Sequence, residues 1–156
     1  MGVLIKDAAA LEILEKVDTL VVDKTGTLTE GKPKLVTIEA TSSAEVDELL
    51  RLSASLERAS EHPLAAAIVA GATEKALALA DVTDFESFSG KGVRGSVDGR
   101  AIALGNIKLM QDLGANADTQ IPRADALRSE GQTVMFVAID GKFAGLIGVA
   151  DPIKES

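Results

Sequence analysis

The chain contains no cysteine among its 156 residues. Disulfides, thiolate metal sites and a cysteine nucleophile are therefore excluded, and the sequence carries no redox information of its own. No apolar run approaches the roughly 20 residues that cross a bilayer, and the N-terminus lacks the basic region and apolar core of a signal peptide. Positive charge is in deficit: 16 Lys and Arg stand against 24 Asp and Glu, a formal net charge of -8. A broad surface of that sign repels phosphate backbones and argues against nucleic acid as a partner, while a small nucleotide in a local pocket stays compatible. What is present, 46% hydrophobic and 26% charged residues, suits a soluble globular domain with one ordinary core.

The run Asp23-Lys24-Thr25-Gly26-Thr27-Leu28-Thr29-Glu30-Gly31-Lys32-Pro33 holds the densest chemistry. Thr19-Leu20-Val21-Val22 reads as a short buried strand, which puts Asp23 at its carboxyl end, where open α/β sheets place their chemistry. Lys24, Thr25 and Thr27 add a charge and two hydroxyls, and Gly26 lets backbone N–H groups turn toward an anion. A carboxylate held this way can take a phosphoryl group covalently. On spacing alone, a polar turn leaving a core strand explains the run as well.

Two other fingerprints fail in context. Gly26 to Lys32 fits the first seven positions of a Walker A loop, but Pro33 replaces the Ser or Thr, with neither hydroxyl nor N–H to offer. Gly90-Lys91-Gly92-Val93-Arg94-Gly95 fits the dinucleotide fingerprint, yet it is followed by a strand and hairpin turn where a helix is required.

Along the chain, Asp7 to Lys16 has helical spacing with Ala8, Leu11, Ile13 and Leu14 on its apolar positions. Lys32-Pro33 marks a first hinge. Strands are expected at Lys34 to Glu39, Thr83 to Ser89, Gly92 to Val97, Ala101 to Leu104, Val134 to Ile139 and Phe143 to Val149, with Asp98-Gly99 and Asp140-Gly141 as hairpin turns. Helices are expected from about Ala44 to Arg58, capped by Ser42 or Ser43 with Val46, Leu49, Leu50 and Leu52 or Ser53 buried. Others run from Pro63 through Leu64, Ile68, Leu77 and Leu79, and over Ile107 to Leu113 and Arg123 to Glu130. The hairpins imply an α+β domain: an antiparallel six-stranded sheet flanked by helices.

The run from Asp23 to Pro33 resembles the phosphorylation loop of P-type cation-transporting ATPases. Gly2-Val3-Leu4-Ile5-Lys6, Leu11 to Thr29 and Asp151-Pro152-Ile153-Lys154 look most like the copper-exporting members. The resemblance covers essentially the whole chain. It implies residues 1–32 as the start of a haloacid-dehalogenase-like phosphorylation domain, 33–150 as a nucleotide-binding domain and 151–156 as the return. Catalytic residues would be Asp23, Lys24 and Thr25, with Asp23 also a ligand to Mg2+. Thr25 stands where soluble phosphatases of that superfamily carry a second aspartate, so it cannot be the general acid or base.

Glu57, His62, Gly90, Gly92, Val93, Gly105 and Asn106 are the residues that the resemblance assigns to ATP. Ser60-Glu61-His62-Pro63-Leu64 looks like the family's adenine signature, although His62 by itself reads as a helix-start residue with a satisfied ring nitrogen. Glu57 can accept from the exocyclic amine of adenine, where guanine offers a carbonyl. Gly90 and Gly92 would keep space for the nucleotide, Lys91 would add charge near its phosphates, and Asn106 can cap the helix at Ile107 as well as line the pocket. The partners implied are ATP and the remaining phosphorylation, actuator and membrane domains of a pump. The fragment would be a cytoplasmic part of an integral membrane protein, binding nucleotide with little turnover and holding no transported Cu(I) or Ag(I). A soluble haloacid-dehalogenase-like phosphatase, a Zn or Cd pump and a non-catalytic protein-binding module are the other readings.

Overall fold

The computed structural model of the chain describes residues 13, 15–19, 21–41 and 45–154, without the side chains of Lys24 and Thr25. It divides into two compact units, Pro33–Asp151 on one hand and Met1–Lys32 with Pro152–Ser156 on the other.

In Pro33–Asp151 the strands are β1 (Lys34–Ala40), β2 (Val82–Phe88), β3 (Gly92–Val97), β4 (Arg100–Gly105), β5 (Thr133–Ile139) and β6 (Lys142–Ala150). They form one antiparallel sheet in the order β1-β6-β5-β4-β3-β2. Hairpin chemistry sets its two inner joints. Asp98 and Gly99, like Asp140 and Gly141, all have positive φ, and the pairs Val97↔Arg100 and Ile139↔Lys142 close two-residue turns of the type that matches strand twist.

The helices are α1 (Val46–Glu57), α2 (Pro63–Glu74), α3 (Ile107–Asp112) and α4 (Ile121–Ser129). A side-chain period of two divides the apolar residues of the central strands between two cores. Ile102, Leu104, Val137 and Ile139 join Leu49, Leu52, Leu56 and Ile68 of α1 and α2, whereas Ala103, Phe136 and Ala138 join Leu109, Met110 and Leu127 of α3 and α4. The sheet is thus sandwiched between helix pairs, and β4 and β5 read as nearly unbroken apolar runs because both their faces are buried.

Several element ends differ from the sequence expectations. The cap of α1 is Glu45, without a side-chain cap bond, and the expected Ser42, Ser43 and Ala44 lie outside the described residues. Val46 is 41% exposed rather than buried, because it starts the helix before the sheet covers it. The helix α2 stops at Glu74, short of Leu77 and Leu79. There Ala76 adopts φ 54, its N–H bonds to Thr73 O at 2.9 Å, and the Leu77 N–H reaches back to Ala72 O at 3.0 Å. These two bonds form a Schellman stop. They release Leu77 and Leu79 as loop residues that still pack against the first core.

In the other unit, Asp23 precedes a single π-helical turn, Lys24–Leu28. The expected strand over Thr19 to Val22 is not formed at its described residues 19, 21 and 22, and Val21 is 91% exposed. A buried strand needs ladder partners for its backbone groups, and the only strand-like pairing of this unit among the described residues lies further on, as an antiparallel bridge between Thr29 and Ile153. Of the helix expected over Asp7 to Lys16, all but residues 13, 15 and 16 lie outside the described residues.

Ala76 occupies a left-handed position at which a Cβ is unfavourable. Ala76→Gly should raise unfolding stability by about 0.5–1 kcal/mol, measured by urea denaturation. An unchanged or lower midpoint would show that the helix stop does not carry that strain.

Candidate functional site

A cavity of about 820 Å3 opens in Pro33–Asp151 where the end of α1, the start of α2, the β2–β3 turn and the first residues of β5 converge. Glu57, His62, Gly90, Gly92, Val93, Gly105 and Asn106 all line it. Residues separated by up to 49 positions in sequence are brought together because α1 and α2 cover the same sheet face on which β3 and β4 are adjacent.

Glu57 is the last residue of α1 and only 5% exposed, and its Oε2 has no hydrogen-bond partner among the described residues. Burial pushes its carboxyl above the ordinary carboxylate range, and the Ser60 hydroxyl and His62 pull it partly back. Neighbouring cations are engaged elsewhere: Arg58 pairs with Asp81 at 2.6 Å, and Lys91 pairs with Asp112 at 2.6 Å. Lys91, expected to add charge near phosphates, holds its ammonium on α3 through this exposed pair. A buried carboxylate oxygen without a partner is costly to the fold, and a donor N–H would offset that cost.

His62 caps α2. Its Nδ1 accepts the Leu64 N–H at 3.2 Å, so a neutral ring carries its proton on Nε2 and has one donor to spare. The helix-start role therefore uses only one of the two nitrogens. Asn106 is also doubly engaged: its Oδ1 accepts from the Leu109 N–H at 3.2 Å as the cap of α3, and its Nδ2 donates to the Gly90 carbonyl at 2.8 Å. With the Asn106 N–H on Lys91 O at 2.8 Å, this residue braces the turn at the cavity mouth.

Two of the glycines have a reason within the fold itself. Gly92 and Gly105 pair across β3 and β4. A Cβ on Gly92 would collide with the Leu104 carbonyl oxygen and lie 2.5 Å from Gly105 Cα, and one on Gly105 would collide with Lys91 O. These residues are small so that two backbones can touch, and the space they keep is inside the protein. A Cβ on Gly90 would meet nothing within 4 Å, and that position is glycine for its φ of 69.

Sequence reasoning missed the apolar lining from Phe85, Phe88 and Met135. Strand alternation was the signal available for Phe85, but nothing distinguished a residue facing a cavity from one facing the core. In the other unit Asp23 is exposed, and the side chains of its expected companions Lys24 and Thr25 lie outside those described. No group of three His, Cys, Asp or Glu capable of holding a metal occurs among the described residues. Mg2+ bound with a nucleotide needs only one or two carboxylates beside phosphate oxygens and water, so Asp23 fits it as a single ligand.

In sequence, an α+β domain with a buried-carboxylate cavity interrupts a second unit, which is the organisation of an inserted domain. The chain belongs to the haloacid dehalogenase-like hydrolase family, whose model matches residues 17–156. A copper-transporting P-type ATPase of Rhizobium leguminosarum bv. viciae is 58% identical over 153 residues, covering 98% of this chain and 18% of that protein. The solved structure of a zinc-transporting PIB-type ATPase in its E2.Pi state superposes with a TM-score of 0.75 at 32% identity, over 84% of this chain and 21% of that one. The N-domain of HMA8, a copper-transporting P-type ATPase, superposes with a TM-score of 0.62 at 26% identity, over 73% of this chain and 97% of that one. The fold is that of P-type ATPase N-domains, and the chain spans about a fifth of the length of its full-length relatives.

Two outcomes follow for stability. Because the folded state holds the Glu57 proton more tightly than the unfolded chain does, its ionisation costs stability as pH rises through the folded value. That cost is absent below the unfolded value of about 4.3. Glu57→Gln should therefore be more stable than the parent at pH 7, by on the order of 1 kcal/mol, with the difference vanishing below about pH 4. Denaturation across this range checks it, and a pH-independent difference would contradict it. Gly92→Ala should cost more than about 2 kcal/mol through backbone collision and Gly90→Ala about 1 kcal/mol through φ alone. Equal costs would refute the separate reasons given for the two glycines.

Proposed function

We propose that Pro33–Asp151 binds ATP through its adenine end, and that the chain is the cytoplasmic nucleotide-binding part, with the phosphorylation loop, of a copper- or silver-exporting P-type ATPase. The observation that carries the reading is Glu57 Oε2, buried and without a partner among the described residues, on a residue that lines one cavity with His62. The carboxylate would accept the exocyclic N–H of adenine, and the imidazole would lie against the base with Nε2 as a donor. Apolar side chains such as Phe85 and Met135 give the base a dry wall. Copper or silver is favoured over zinc by the motifs at both ends of the chain and by the higher identity to the copper relative.

In the assembled pump, an Asp23 carboxylate oxygen attacks the γ-phosphorus of ATP. The bond from that phosphorus to its bridging oxygen breaks, and ADP departs with the electron pair on its β-phosphate. Most of the rate would come from positioning and charge stabilisation, and a magnesium ion held in part by Asp23 supplies charge neutralisation to the phosphates when bound. With the other phosphorylation and actuator motifs absent from these 156 residues, the chain alone binds nucleotide and turns it over negligibly.

Titration with ATP and GTP, followed through backbone amide resonances, tests the reading. ATP should move Glu57, His62, Gly90, Gly92 and Gly105 together, and GTP should bind at least about tenfold more weakly, for loss of one hydrogen bond to a charged acceptor. Glu57→Ala should erase that preference. Silence at millimolar ATP would sink the nucleotide site, and fast phosphate release from a small ester would point to a phosphatase.

A further inference from the structure

The turn that follows Asp23 is held by residues from the far end of the sequence. Within its own stretch the Gly26 N–H donates to Thr29 Oγ1 at 3.1 Å, and Thr29 is 1% exposed. From the return segment, the Pro152 carbonyl accepts the Glu30 N–H at 2.9 Å, the Lys154 N–H donates to Leu28 O at 2.9 Å, and Ile153 forms the bridge with Thr29. Any residue but proline at position 154 could make that backbone pairing. One contact depends on the side chain: Lys154 Nζ reaches into the turn and donates to the Gly26 carbonyl at 2.6 Å, across 128 positions of sequence.

A trans peptide is planar, so fixing the Gly26 carbonyl also fixes the Thr27 N–H in the opposite direction. Both polar groups of Gly26 are then engaged, the N–H by Thr29 and the carbonyl by Lys154. The middle of a turn that is otherwise exposed is tied at two points, and a charged donor makes the second tie stronger than a neutral one. Reactions governed by alignment lose about 100-fold for a displacement of about 1 Å, so a turn directly beside the reacting carboxylate is where such a tie acts.

We propose that Lys154 is a positioning residue for phosphorylation of Asp23: by holding the Gly26–Thr27 peptide plane, it sets the loop geometry from which the aspartate attacks. This rests on the reading of Asp23 as the phosphoryl acceptor. Lys154 touches a backbone carbonyl and none of the reacting atoms, so it acts through the loop.

The test has two arms. In the 156-residue chain, Lys154→Met should shift the Gly26 carbonyl 13C and Thr27 15N resonances while leaving those of Glu57, His62 and Gly105 in place, with Lys154→Arg close to the parent. In the intact transporter carrying the same substitutions, Lys154→Met should slow phosphoenzyme formation from ATP by about 10- to 100-fold at unchanged half-saturating ATP, and Lys154→Arg should restore most of the rate. Unshifted Gly26 and Thr27 resonances, or a parental phosphorylation rate in Lys154→Met, would overturn the proposal. A parent transporter that forms no phosphoenzyme, or keeps it after Asp23→Asn, would overturn the assignment of Asp23 and this proposal with it, whereas resonance shifts alone would leave Lys154 as a structural tie.

Discussion

Backbone contact between β3 and β4 at Gly92 and Gly105 is the constraint from which the cavity follows. Where both partners lack a side chain, the strands close on each other, Leu109 of α3 lies over the junction, and the Asn106 N–H meets Lys91 O. The turn at Gly90 is then tethered by the Asn106 amide from behind. On the opposite side of the opening, α1 and α2 deliver Glu57 and His62 at the junction between two helices. One rim is rigid because of glycine pairing, and the other because a helix end and a helix start meet there. Ligand recognition built on such elements is held more exactly than on free loops.

Glu57 shows what that arrangement costs. A carboxylate 5% exposed with an open oxygen works against folding, and the surrounding leucines of α1, all buried, have to offset it. Nothing in the packing requires acid at this position, since an apolar or amide side chain would fill the same space more cheaply.

The sheet was largely legible in the sequence because its signals are local. Asp-Gly at 98–99 and 140–141 fixes two hairpins, and apolar alternation marks the strands between them. The end of α2 was hidden because its stop is an alanine in a conformation that glycine normally takes, and Leu77 and Leu79 continue the helical period while belonging to a loop. The strand expected before Asp23 is not formed at its described residues for a different reason: three apolar residues encode a preference for burial but not the neighbours that would supply ladder bonds. The site residues could be gathered by motif, yet the reason for Gly92 could not, since a cross-strand collision at Leu104 O exists only once β3 and β4 are in register. The pairing of Lys91 with Asp112 and the reach of Lys154 to Gly26 are likewise long-range facts without a local signature.

The strands β1 and β6 lie side by side, with Lys34 opposite Ala150. Partners in an antiparallel pair are about 5 Å apart, so the segment between them leaves and rejoins its surroundings through one narrow doorway. A module anchored this way can be spliced into a host chain at almost any surface loop without stretching the host, and can be exchanged between relatives as a cassette. Drift in its pocket then proceeds with little effect on the scaffold that receives it.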